Sequence, residues 1–77
     1  MLHFKDKRLI KFGEHIKILR QKQGLSIDDV AANCSISRKD LHSIEEGNRN
    51  FAFTTLLDLA LGLGVSPSLL MKIDFDN

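Results

Sequence analysis

The stretch from Ser26 to Gly47, SIDDVAANCSISRKDLHSIEEG, carries two helix starts only 11 residues apart, which leaves room for two short helices and a tight corner. Ser26 and Ser37 are N-cap residues by type. Each is followed three positions later by an acid, Asp29 and Asp40, in capping-box spacing with Asp replacing the usual Glu or Gln. Val30, Ala31 and Cys34 share one helical face, and Leu41 and Ile44 form the inward face of the second helix.

With Leu41 and Ile44 turned inward, Arg38, Lys39, His42 and Ser43 turn outward. Two cations at a helix start oppose the macrodipole, at a cost of a few tenths of a kcal/mol each where solvent screens them. Chemistry alone leaves two readings open. The face is a solvated charged surface, or it enters the major groove of DNA, where Arg or Lys pairs with guanine O6 and N7.

A chain of 77 residues makes one domain, and at this size only about 60% of the unfolded surface is buried, so a second subunit would add useful burial. The absence of Trp and Tyr, the single Pro and the lack of a long alternating run favour an all-α fold. One cysteine excludes an internal disulfide and suits the cytoplasm. The longest apolar run, Leu59 to Val65, is too short for a bilayer, and no secretory segment opens the chain.

The net charge of +1 conceals a polarity. Residues 1–25 hold seven cations and two anions, whereas residues 26–50 hold three against five and residues 51–77 one against three. A basic N-terminal part can follow phosphates while an acidic C-terminal part faces elsewhere.

In chain order, residues 1–8 form a basic lead-in with Leu2 and Phe4 as packing anchors, residues 9–72 the domain, and residues 73–77 a tail. A first helix is expected from about Leu9 to Gln23, with Phe12, Ile16, Leu19 and Gln23 on one stripe and Gly24 as its stop. Gly47 stops the helix that starts after Ser37. Phe51 and Phe53 then precede Thr54, the expected N-cap of a helix from Thr55 to Leu63, with Phe53 packing on the core. Leu56, Leu59, Ala60 and Leu63 form its inward stripe. Gly64 ends it, Ser66 caps the next helix, and Pro67 takes that helix's first position. Leu57, Leu61, Met71, Ile73 and Phe75 are more apolar groups than a monomer comfortably exposes. Either the tail folds back over its own core, or, as we prefer, these residues form a two-fold dimer surface.

The chain resembles the XRE family, the Cro and phage-repressor type of helix-turn-helix domain, over roughly residues 10 to 71. The resemblance rests on Ile16, Leu19-Arg20, Gly24-Leu25-Ser26, Val30-Ala31 and Ile36-Ser37-Arg38. It continues through Leu41, Ile44-Glu45, Gly47, Arg49, Thr55-Leu56, Leu59-Ala60 and Leu63-Gly64-Val65-Ser66. It implies a five-helix, lambda-repressor-like DNA-binding domain with the helix-turn-helix at helices 2 and 3. Arg38, Lys39, His42 and Ser43 would then read bases, while Lys17, Ser37, Asn48, Arg49 and Asn50 would hold phosphates. It also implies an ion pair between Arg20 and Glu45; the alternative for Arg20 is a surface arginine on phosphate. A homodimer would set two recognition helices about 34 Å apart, on an approximately palindromic operator. Relatives this short include phage repressors, antitoxins and controller proteins of restriction–modification systems, and the loop Gly47-Asn48-Arg49-Asn50 slightly resembles that of the last.

Two positions depart from the family. Ser35 stands where a glycine with positive φ is usual, so the corner is either strained by on the order of 1 kcal/mol or differently shaped. Ile27 stands where a polar residue often meets phosphate, leaving that contact to backbone amides. Asp40 would repel the DNA backbone unless it is spent on capping.

Catalysis is not expected. His3, His15 and His42 lack metal-ligand spacing, Cys34 reads as a small buried hydrophobe, and Asp28-Asp29 are explained by a helix's first turn. No catalytic residue, metal, cofactor or small-molecule ligand is called for. The partners expected are double-stranded DNA and a second copy of the chain, with no membrane. The rival reading is a protein-interaction module on the same fold that does not bind DNA.

Overall fold

The computed structural model describes residues 6–74, which form five helices and no strand. They are α1 (Lys7–Lys22), α2 (Ile27–Ala32), α3 (Arg38–Glu45), α4 (Phe53–Leu63) and α5 (Pro67–Leu70). Leu2, Phe4 and Phe75 lie outside the described residues.

α1 begins two residues before the expected start because Asp6 caps it. The Asp6 carboxylate accepts the Arg8 N–H at 2.8 Å and the Arg8 guanidinium at 2.6 and 3.0 Å. These bonds, the guanidinium's first and the N–H's second, hold the Asp6 carboxyl down at about 2. The buried stripe is Phe12, Gly13, Ile16 and Arg20, while Gln23 is exposed at the helix end.

α2 carries the full capping box. The Asp29 N–H donates to Ser26 Oγ at 3.0 Å and the Ser26 N–H to Asp29 Oδ2 at 2.8 Å, which lowers the Asp29 carboxyl below its usual range. α3 uses half of that device, the Asp40 N–H donating to Ser37 Oγ at 3.1 Å.

Gly24 and Gly47 end α1 and α3 with φ of +71° and +72°. After each, the next residue donates its N–H five positions back, Leu25 to Arg20 and Asn48 to Ser43, which satisfies carbonyls the helix leaves open. Val65 closes on Ala60 in the same way after α4.

α4 starts at Phe53, not Thr55. Ala52 takes the extended N-cap conformation, without a side-chain cap, and its carbonyl accepts from Thr55 and Leu56. The two aromatics therefore part company. Phe51 packs against Phe12, with ring centroids 5.2 Å apart, while Phe53 is 70% exposed at the first turn of α4. Ser66 sits at the N-cap of α5 but makes no side-chain cap bond; its Oγ lies 3.0 Å from Ser68 Oγ.

The core gathers Phe12 and Ile16 of α1, Val30 of α2, Ile36, Leu41 and Ile44 around α3, Leu56, Leu59, Ala60 and Leu63 of α4, and Leu70 of α5. Cys34 is half-buried and donates to the Val30 carbonyl. Ile73, expected on the outer apolar surface, instead packs half-buried against this core, and Lys11 Nζ donates to the Asp74 carbonyl at 2.7 Å. That part of the tail folds back. No helix among the described residues is long and apolar enough to cross a membrane.

Candidate nucleic-acid interface

α3 is fixed from behind. Leu41 and Ile44 are buried, and α1 comes against the C-terminal end of α3 so closely that a Cβ on Gly13 would stand 2.5 Å from the Ile44 and Glu45 carbonyl oxygens. Gly47 meets α1 just as closely: its Cβ would lie 2.8 Å from Ile10 Cα. Buried between these elements, Arg20 Nε donates to Glu45 Oε2 at 2.7 Å and Nη2 to Oε1 at 3.0 Å. Nη1 reaches the Leu25 carbonyl at 2.9 Å. The pair ties α1, the entry to α2 and the end of α3 together, and the bond from Glu45 makes the Arg20 guanidinium hold its proton more tightly than usual. Among the described residues no buried side-chain nitrogen or oxygen lacks a partner.

The opposite side of α3 is open. Arg38, Lys39 and His42 are exposed and Ser43 is half-buried. With Ile27 of α2, the first three line an open groove of about 480 Å³. Ile27 therefore supplies an apolar wall beside the cationic side chains while also packing on the core. Ser37, Asn48, Arg49 and Asn50 are exposed at the two ends of α3. Asn50 Oδ1 accepts the Phe51 N–H at 2.9 Å. Lys17 is exposed on α1, a separate element from this cluster.

Two acids answer the cations, and the spacing of the sequence pointed to neither pairing. Arg38 Nε lies 3.0 Å from Asp28 Oδ1 of α2, and Arg49 Nη1 lies 3.1 Å from Asp40 Oδ1. Asp40 thus turns to Arg49, while only its backbone N–H serves the cap.

The corner between α2 and α3 is unstrained. No residue other than glycine has positive φ among the described residues, so Ser35 shapes the turn differently from a left-handed glycine. Its N–H donates to Asp58 Oδ2 of α4 at 3.0 Å, and its hydroxyl donates to the same oxygen.

Away from α3, α4 exposes Phe53, Leu57 and Leu61 (70%, 40% and 67%), spaced four residues apart and therefore on one stripe; Met71 is also exposed. Phe53 is the member that sequence reasoning assigned to the core. Its spacing to Leu57 was the available signal.

A short, capped α2 and an α3 anchored on one side and cationic on the other define a small all-α helix-turn-helix protein. The chain belongs to the helix-turn-helix domain family, whose model matches residues 11–71. It is 41% identical over 54 residues to an uncharacterized HTH-type transcriptional regulator, y4dJ, of Sinorhizobium fredii, covering 70% of each chain. It is 39% identical over 60 residues to the control protein C.MunI of a Mycoplasma species, covering 77% of this chain and 81% of that one. Among solved structures it resembles the restriction–modification controller protein C.AhdI of Aeromonas hydrophila (TM-score 0.80, 32% identity, 84% of this chain and 98% of that one). It also resembles the controller C.Esp1396I, solved as a tetramer in complex with its natural 35-base-pair operator (TM-score 0.78, 28% identity, 83% of this chain and 84% of that one).

Proposed function

We propose that this chain is a transcription regulator that binds double-stranded DNA sequence-specifically, as a homodimer on a near-palindromic operator. The observation that carries the reading is the two-sidedness of α3: Leu41, Ile44 and Glu45 hold it to the domain, while Arg38, Lys39 and His42 stand in solvent on the other side. The relatives support it, being HTH-type regulators and controllers, one of them solved on operator DNA.

In this reading α3 enters the major groove. Arg38, Lys39, His42 and Ser43 face base edges, with Arg38 suited to guanine O6 and N7. Ser37, Asn48, Arg49 and Asn50 flank them on the phosphates, and Lys17 adds a contact from α1. Phe53, Leu57, Leu61 and Met71 form the surface that a second copy covers. Two-fold pairing there presents two α3 helices to successive major grooves about 34 Å apart.

A gel shift against genomic fragments, including the DNA upstream of the chain's own gene, tests the reading. Retention of a subset of fragments in the presence of excess random duplex is expected. A protein-interaction module is the second reading, favoured by the acids Asp28 and Asp40 beside Arg38 and Arg49. Failure to retain any fragment would select it.

A further inference from the structure

We propose that Asp28 is a positioning residue for Arg38, aiming its guanidinium for end-on reading of a guanine; the proposal rests on the DNA-binding reading above. The particular nitrogen engaged carries the argument. Asp28 Oδ1 sits 3.0 Å from Arg38 Nε, the nitrogen nearest the chain. An ion pair made at Nε is compatible with the Nη1–Nη2 edge serving a second, bidentate partner, and because the guanidinium is planar an anion beside Nε biases where that edge points. Guanine presents two acceptors on one major-groove edge, O6 and N7, which match that fork.

The surroundings favour this role over a chance surface pair. Arg38 is the first residue of α3, and its side chain is 75% exposed, so nothing in the core restricts its rotamers. Asp28 is set in the first turn of α2, whose start is locked by the Ser26–Asp29 capping box. The support therefore comes from an ordered backbone on the neighbouring helix. An anion beside Arg38 also makes the groove less attractive to phosphates that carry no sequence information. Asp28 thus sharpens the difference between operator and random DNA instead of adding affinity.

The test measures binding of wild type, Asp28→Asn, Arg38→Ala and the double variant. Each is assayed against a duplex selected from random DNA, the same duplex with each half-site guanine replaced in turn, and a random duplex. Asp28→Asn should bind the random duplex several-fold more tightly. It should also lose discrimination at one guanine, on the order of tenfold. In the Arg38→Ala background the same change should leave discrimination at that guanine unaltered. A purely structural role would move thermal unfolding and bind all duplexes less well. An unchanged ratio between the selected duplex and its guanine variants, whatever happens to absolute affinity, overturns the proposal. Wild type that selects no duplex overturns the DNA-binding reading itself, and the two failures are therefore distinct.

Discussion

Asp58 of α4 accepts both the backbone N–H and the hydroxyl of Ser35, so the corner of the helix-turn-helix is fastened to the helix that carries Phe53, Leu57 and Leu61. A tie across 23 residues of chain joins the part proposed to face DNA to the part proposed to face a second copy. Asp58→Ala should cost about 1–2 kcal/mol, since both bonds end on a carboxylate at a solvent-accessible site. At roughly 4–8 °C per kcal/mol in a domain of this size, thermal unfolding by circular dichroism would register the loss. Asp58→Asn, which keeps an acceptor, should recover part of it. Equal unfolding temperatures for wild type and Asp58→Ala would remove the clasp from the account.

Gly13 reverses the usual rule for glycine within a helix. At an exposed site, Gly→Ala stabilises by about 1 kcal/mol. Here the added Cβ would stand 2.5 Å from two backbone oxygens at the end of α3, which cannot move as a flexible side chain would. Gly13→Ala should therefore destabilise by about 1–3 kcal/mol, visible as a lower urea midpoint at unchanged slope.

The α4 stripe makes a prediction that leaves the fold alone. Leu61 is 67% exposed, so Leu61→Asp should keep the wild-type helical circular-dichroism spectrum, its unfolding temperature falling only by what pairing contributes. By sedimentation it should shift the chain from dimer to monomer, and it should weaken binding to a full palindrome far more than to a single half-site. A variant that still sediments as a dimer would place the pairing surface elsewhere.

Arg38 and Arg49 should separate in their effects. Arg38→Ala is expected to cost roughly 1–3 kcal/mol per half-site on the preferred sequence and to relax sequence choice. Arg49→Ala and Lys17→Ala should weaken all DNA alike and flatten the dependence on log salt by about one unit per lost phosphate contact. Binding titrations at several salt concentrations on specific and random duplexes decide both.

Asp6 makes acid stability part of the same test. Its carboxyl is lowered from 3.8 to about 2 by Arg8 and the N-cap bond, so its stabilising contribution is complete above pH 3.8 and fades as the pH falls towards 2. The unfolding temperatures of wild type and Asp6→Ala should differ at pH 5 and converge near pH 2.

What could be read from the chain alone follows the range of each interaction. The starts after Ser26 and Ser37 and the stops at Gly24, Gly47 and Gly64 were legible because caps and left-handed turns are written within a few residues. The outward side of α3 was legible from Leu41 and Ile44, which fix its phase. Thr54 misled because it has the chemistry of a cap, whereas α4 starts after Ala52, just past Phe51, which docks on Phe12 in a tertiary contact that hydrophobic order does not reveal. Ser35 with Asp58, and Arg38 with Asp28, unite residues 23 and ten positions apart. No periodicity carries such pairings. Ile73 was misplaced because a short tail of alternating character suits either a free surface or a fold-back.

All that secures α3 to the domain (Leu41, Ile44, the Arg20–Glu45 pair and the close approach of Gly13) lies on a single side of that helix. The outer positions are consequently exchangeable. Arg38, Lys39 and His42 can be rewritten without the scaffold registering the edit, so on the proposed reading lineages that share this framework are free to diverge in the operators they recognise while their interiors stay the same.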